Sequence, residues 1–209
     1  MLQTLTERLY DDSDRTALDP FALFEEWFAL AKEAEPNDPH AMALASVDAD
    51  GLPDVRMVLL NARNEHGFTF FTNFESVKGA QLLAQPKAAM VMHWKSLRRQ
   101  IRMRGPVEVV SPGEADAYWT SRPKGSQIAS SASQQSRPLD SKMTLLDQVS
   151  TLATQTDGDD VARPAHWSGF RIIPSSIEFW KDGEFRLHDR VRFTRASVDQ
   201  PWTSERLYP

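Results

Sequence analysis

The sequence predicts a mainly β fold, a closed antiparallel barrel with helices between and outside its strands. Three observations lead there. Short apolar runs recur between turn signals such as Asp48-Ala-Asp-Gly51 and Asp182-Gly183. The runs follow one another in hairpin order, and stretches with three- and four-residue apolar spacing are fewer and lie between or outside them. No internal repeat is visible.

Residues 1–18 are polar, with Asp11, Asp12, Ser13 and Asp14 clustered, and are expected to form a flexible N-terminal arm, leaving 19–209 as a single domain. Asp19 is a good N-cap and Pro20 suits the first helical position. Phe24, Trp27, Phe28 and Ala31 repeat at helical spacing, and the helix should end before Pro36. A strand-rich block follows over 41–47, 55–60 and 68–72, then a short helix over 76–85 closed by Pro86, then strands over 88–94 and 100–110. In the last of these Ile101 and Met103 alternate with Gln100, Arg102 and Arg104. Ser111-Pro-Gly-Glu114 starts a helix with Ala115, Tyr118 and Trp119 on one face. Residues 121–126 read as a loop, 130–136 as a polar linker, 143–155 as a helix and 156–164 as a loop. Strands resume over 167–173, 177–181 and 184–195, the last two joined by a two-residue turn at Asp182-Gly183. On the final strand Phe185, Leu187, Val191 and Phe193 should be buried. Arg186, His188, Arg190 and Arg192 should face the other way, with the first three of these forming a row of donors about 13 Å long.

Composition narrows the chemistry. The chain has 209 residues, a net charge of -5 and five histidines, so nucleic acid binding has no global electrostatic support. There is no cysteine, which removes disulfides, thiolate catalysis and cysteine-ligated metals, and the histidines show no metal-ligand spacing. No run reaches membrane-spanning length, and the first residues lack a secretory pattern, so a cytoplasmic protein with no membrane partner is expected. Basic clusters in an acidic chain imply a small anionic ligand. Arg56 stands in a strand, Thr72 to Ser76 leads into a helix whose first turn carries Lys78, and Gln134-Gln135-Ser136 offers neutral donors. Tyr118, Arg122 and Ser126, spaced by four, supply phenol, guanidinium and hydroxyl donors suited to a second phosphate. Each cluster taken alone also fits a capped helix with solvated charges. With no triad, no paired carboxylates and no metal set, oxidation or group transfer here requires a bound cofactor.

Several uncommon strings occur together and in order: Arg56-Met-Val-Leu-Leu60, Phe71-Thr-Asn73, Ser121-Arg-Pro123, Ser126-Gln-Ile128, Trp167-Ser-Gly-Phe170, Glu178-Phe-Trp180, Arg186-Leu-His-Asp-Arg190 and Arg206-Leu-Tyr-Pro209. In these the chain resembles the pyridoxine/pyridoxamine 5′-phosphate oxidase family. The resemblance implies an FMN-binding split β-barrel that works as a homodimer with the flavin at the subunit interface. It also implies oxidation of pyridoxamine or pyridoxine 5′-phosphate, a small phosphorylated pyridine, to pyridoxal 5′-phosphate with oxygen as acceptor. Carried over by position, Arg56, Lys78, Gln135 and Ser136 would lie at the FMN phosphate and ribityl chain. Met57, Val58, Leu59, Phe71, Thr72, Gln100, Trp180 and Arg190 would line the flavin. Asn61, Tyr118, Arg122 and Ser126 would hold the substrate phosphate, with Arg186 and His188 as catalytic residues over the pyridine ring. The chain departs from the family pattern in having Asn61 where lysine is usual, Val77 in place of arginine, and Ala129-Ser130-Ser131 in place of Gly-Ala-Trp. Two other readings fit the same residues: a flavin-dependent oxidase or reductase for a different small molecule, and a catalytically silent flavin- or pyridoxal-phosphate-binding protein.

Overall fold

The computed structural model describes residues 4–11, 18–156 and 160–209. Helices α1 (Leu5–Leu9) and α2 (Pro20–Ala34) precede strands β1 (Ala41–Val47), β2 (Pro53–Leu59), β3 (Ala62–Asn64) and β4 (Gly67–Asn73). Helix α3 (Val77–Ala84) leads to β5 (Lys87–Trp94) and β6 (Arg99–Val109). Helices α4 (Pro112–Ser121), α5 (Lys124–Ala132) and α6 (Lys142–Gln155) then precede β7 (Trp167–Ile172), β8 (Ser176–Lys181), β9 (Asp189–Thr194) and β10 (Thr203–Arg206).

All strand pairs are antiparallel, and the main path runs β10-β9-β8-β6-β5-β1-β2. Strand β6 makes the sheet curl. Its first part, Arg99 to Arg104, pairs with β8, whereas Val107 to Val109 pair with β7, which in turn pairs with β4. Gly105 lies at the hand-over, where a Cβ would meet the Ile173 carbonyl oxygen at 2.0 Å. Only glycine lets the backbones pass this closely. The result is a half-barrel.

Alternation along β1, β5 and β6 turns Met42, Leu44, Met90, Met92, Trp94, Ile101 and Met103 inwards, where all are buried. Helix α2 is capped by Asp19, whose side chain accepts the Phe21 N–H, and carries Pro20 in its first turn. Its apolar stripe covers the half-barrel: Phe24 meets Phe68 at 4.8 Å and Trp27 meets Phe179 edge-on at 5.1 Å. A smaller cluster, Trp119, Ile128, Val161 and Trp167, lies beneath α4 to α6. No helix among the described residues is long and apolar enough to cross a membrane, and no group of three or more potential metal ligands occurs there.

Two expectations need correction. Residues 4–11, read as part of a flexible arm, contain α1, which has a Thr4/Glu7 capping box and a fully buried Leu9. Glu26 of α2 accepts the Leu5 and Thr6 N–H groups at 2.9 and 3.0 Å, and Trp27 Nε1 donates to Thr6 Oγ1 at 2.8 Å. Packing orders this segment despite its polarity. Residues 1–3 and 12–17 of the expected arm lie outside the described residues.

The strand expected over 184–195 begins only at Asp189. Lys181 and Asp189 are the last paired residues, so 182–188 form a loop rather than a two-residue turn. The Gly183 Cα lies where a Cβ would meet the Leu187 carbonyl oxygen at 2.1 Å, and Phe185 and Arg186 take positive φ of 55° and 67°. Phe185 and Leu187 are 90% and 71% exposed, while Val191 and Phe193 are buried as alternation requires. Arg186, His188 and Arg190 therefore do not form one straight row. Smaller differences are α5, which occupies part of the expected loop and linker, and the unexpected short strands β3 and β10.

Candidate active site

A cavity of about 530 Å³ opens between β2, β4, the start of α3, α4 and α5. Met57, Val58, Leu59, Asn61, Phe71, Thr72, Lys78, Tyr118, Arg122 and Gln135 line it, so ten of the expected site residues come together there. Its two ends are polar and the wall between them is apolar.

One end is built by the entry to α3. Ser76 caps that helix by accepting the Gly79 N–H at 3.2 Å, and Asn73 Oδ1 holds the preceding turn through the Glu75 N–H at 2.7 Å. Lys78 in the first turn points its Nζ at three neutral oxygens: Gln135 Oε1 at 3.0 Å, Thr72 Oγ1 at 3.3 Å and Ser76 Oγ at 3.3 Å. Burial, and after it the positive charge of Arg56, hold the Lys78 pKa below the usual lysine value, with Asp54 acting in the opposite direction. Arg56 itself is not on the cavity wall. Its Nη1 donates to Ser46 Oγ at 2.6 Å and to the Leu44 carbonyl at 3.2 Å. Its Nη2 reaches Gln81 Oε1 at 3.1 Å and Asp54 Oδ2 at 2.5 Å. Arg56 thus contributes to the field at Lys78 while its terminal donors are engaged by the protein.

The other end is organised by α4 and α5. Phe71, Tyr118 and Trp167 stack almost parallel, Phe71 lying 4.1 Å from Tyr118 and 5.3 Å from Trp167. The Arg122 guanidinium packs over Trp119 and Trp167 at 5.2 and 4.9 Å. Its Nη2 donates to Ser130 Oγ at 2.9 Å, while its buried Nη1 has no hydrogen-bond partner among the described residues. Burial lowers the Arg122 pKa and raises that of Tyr118. A buried, unpartnered guanidinium N–H is costly unless an anion completes it. Asn61 Nδ2 donates to the Tyr118 hydroxyl at 2.6 Å, and its Oδ1 accepts the Phe71 N–H at 3.1 Å.

These residues suit a flat ring with an anionic group near each cation. The donor set at Lys78, a lysine with a threonine hydroxyl, an amide and a helix start, fits the phosphate of FMN, and the Met57 to Leu59 edge with Phe71 fits its flat ring.

A second group lies elsewhere. Gln100, Trp180 and Arg190 are cross-strand neighbours on β6, β8 and β9, and the Trp180 and His188 rings are 4.7 Å apart. His188 Nδ1 is 3.2 Å from both the Gly183 nitrogen and Asp182 Oδ1. Arg190 is held by Glu178, which is 3% exposed, at 2.8 Å and by the Tyr208 carbonyl at 2.9 Å; Arg102 reaches the same glutamate at 2.6 Å. Arg186 is exposed in the loop. None of these residues lines the cavity, because β1, β5 and β6 separate β2 from β8 along the sheet. Ser126, on α5, is also off the cavity wall. Ser136, at φ 73°, lines an adjoining hollow of about 360 Å³ that shares Ser133, Gln135 and Leu145 with the first.

Sequence reasoning missed Ser130 and Trp167 as wall residues, and Gln81 as the amide that holds Arg56. Ser130 lies on α5 and Arg122 is the extended C-cap residue of α4, so their contact depends on how the chain turns between the two helices and has no helical spacing to announce it. Trp167 and Gln81 meet their partners only through tertiary packing.

Residues 30–156 match the family described as pyridoxamine 5′-phosphate oxidase, and residues 167–209 match the region described as the pyridoxine 5′-phosphate oxidase C-terminal dimerisation region. Among named proteins, a pyridoxine/pyridoxamine 5′-phosphate oxidase of Allorhizobium ampelinum is 58% identical over 91% of this chain and 93% of its own. The protein of the same name from Brucella canis is 58% identical over 95% and 98%. Among solved structures, PhzG from Burkholderia lata in complex with tetrahydrophenazine-1-carboxylic acid superposes with a TM-score of 0.88 at 29% identity, covering 96% of this chain and 97% of that one. A pyridoxamine 5′-phosphate oxidase-related, FMN binding protein from Nostoc punctiforme shares the fold, with a TM-score of 0.75 at 18% identity over 92% and 100%. A cavity with a cation at each end, on a half-barrel shared with these proteins and with 58% identity over nearly the whole chain, has one consequence: the chain belongs to the pyridoxine/pyridoxamine 5′-phosphate oxidase family.

Proposed function

We propose that this chain oxidises pyridoxamine or pyridoxine 5′-phosphate to pyridoxal 5′-phosphate as an FMN-dependent homodimer, with oxygen as the final acceptor. The observation that carries the reading is the pair of cationic ends, Lys78 and Arg122, set across an aromatic wall with only neutral side chains among the described residues bonded to either. Lys78 with Thr72 and Gln135 would hold the cofactor phosphate. Arg122 with Tyr118 would hold the substrate phosphate, and Phe71 with Met57 to Leu59 would exclude water from the rings between them. Bound FMN would supply the redox chemistry that no side chain here can, taking up the hydride from the substrate C4′ carbon and handing the electrons on to oxygen.

The second residue group supports the homodimer. Gln100, Trp180, Arg186, His188 and Arg190 are absent from the cavity of their own chain, and most lie in the part that matches a dimerisation region. The 186–190 segment of one copy would complete the cavity of the other, Arg186 and His188 orienting the ring and Arg190 meeting the flavin. Ser126 and Ser136 remain proposed ligands at the rims.

The purified protein should be yellow, release FMN on denaturation and form pyridoxal 5′-phosphate and peroxide from pyridoxamine 5′-phosphate. FMN-bound protein that turns over neither phosphorylated substrate would overturn the reading. One observation favours a second substrate class: with Asn61 present, Arg122 is the permanent charge at its end, and PhzG, which resembles this chain throughout, was solved with a carboxylated ring compound. Oxidation of tetrahydrophenazine-1-carboxylic acid in the same assay, with none of pyridoxamine 5′-phosphate, would select it.

A further inference from the structure

Asn61 occupies the start of the segment between β2 and β4, and its main-chain N–H donates to the Thr69 carbonyl at 2.9 Å. Its side chain is fixed at both ends. The Phe71 N–H can only donate, so the amide atom 3.1 Å from it must be the oxygen, and the atom 2.6 Å from the Tyr118 hydroxyl must then be the nitrogen. An amide nitrogen only donates. The Tyr118 oxygen is therefore the acceptor in that bond, and the single phenolic proton is left over. The ring carrying it stacks on Phe71 and lines the cavity together with Arg122, whose charge acts on the phenol and whose buried Nη1 has no partner among the described residues. Burial raises the Tyr118 pKa, which keeps that proton in place at neutral pH.

We propose that Asn61 is a positioning residue that sets the polarity of the Tyr118 hydroxyl, so that Tyr118 donates its proton to the anionic group of the substrate beside Arg122. The proposal rests on the phosphate-binding reading of this end. The backbone of β4 fixes the amide, the amide fixes the direction of the phenol, and the phenol supplies a neutral donor with its proton turned towards the ligand. A merely structural Asn61 would need only the Phe71 bond. The two roles separate in Asn61→Asp, which keeps an oxygen for the Phe71 N–H but accepts the Tyr118 proton and turns the donor away from the cavity.

The test uses the FMN-loaded protein, titrated with pyridoxal 5′-phosphate and, in parallel, with pyridoxal. Asn61→Asp and Tyr118→Phe should each weaken pyridoxal 5′-phosphate binding about 10- to 100-fold, the range for one hydrogen bond to a charged group, and leave pyridoxal binding unchanged. The double variant should bind about as well as the weaker single variant, because both remove the same donor. Asn61→Asp carries a negative charge, so Asn61→Ser, which cannot reach Tyr118, is the neutral second arm and should also weaken binding. Independent, additive losses, or full affinity in Tyr118→Phe, would refute the proposal while leaving the phosphate-binding reading intact. Wild-type protein that holds FMN but does not bind pyridoxal 5′-phosphate would remove that reading, and this proposal with it.

Discussion

Lys78 is a cation half withdrawn from water among oxygens that carry no charge. Because its pKa is depressed in the folded chain, the unfolded chain binds this proton more tightly. Lys78 therefore lowers stability at neutral pH, and that loss is relieved as pH rises from its folded-state pKa to the ordinary lysine value. A bound phosphate reverses the balance by favouring the charged form. Lys78→Met should weaken FMN binding about 10- to 100-fold in a flavin fluorescence titration, yet leave the flavin-free protein as heat-stable as wild type or more so. Wild-type FMN affinity should also fall at alkaline pH as Lys78 loses its proton, a trend absent from the variant. This end of the cavity was legible in the sequence because a capped helix start with a lysine in its first turn is a local pattern. The Asn61–Tyr118 bond was not, since its partners are 57 residues apart and no window of sequence contains both.

At the scale of elements, legibility follows the range of the forces involved. Helix α2 was readable because cap, proline and apolar period all lie within its own residues. Helix α1 was not, because its order comes from Glu26 and Trp27 on α2 and from burying Leu9. Leu9→Ala should therefore destabilise the protein by about 2–5 kcal/mol in denaturant unfolding, as for other fully buried leucines, where a flexible arm would show no change. The 182–188 loop misled for another reason. Alternating apolar residues continue through it by composition, whereas the close passage of Gly183 past the Leu187 carbonyl, which ends the pairing, is a tertiary event. Strands β1 and β5, with one face buried, alternate as the sequence does.

At the scale of the whole molecule, one chain holds two groups of site residues that do not meet. If two copies complete each other's cavities, impaired chains should complement. Lys78→Met and His188→Ala variants, each weak alone, should recover activity when unfolded and refolded together. Random pairing makes half the dimers mixed, each with one intact site, so recovery should approach about a quarter of the wild-type rate under flavin-limiting conditions. Steady-state assay of the mixture against the separate variants decides it; no gain on mixing would place each site within a single chain.

Strand β2 ends the sheet path with β1 as its one hydrogen-bonded neighbour among the described residues, and Val55, Met57 and Leu59 are exposed along one face of it, the last two also lining the cavity. A newly made chain presents this margin to every other chain in a crowded cell and would template strand addition and precipitation. Asp54 and Arg56, paired on its opposite face, oppose that fate, since a stranger aligning there must accommodate a fixed ion pair. Arg56→Ala, which removes that ion pair, should therefore lower the soluble fraction of the expressed protein relative to wild type, as measured after centrifugation of the lysate; an unchanged soluble fraction would show that the ion pair does not protect this edge.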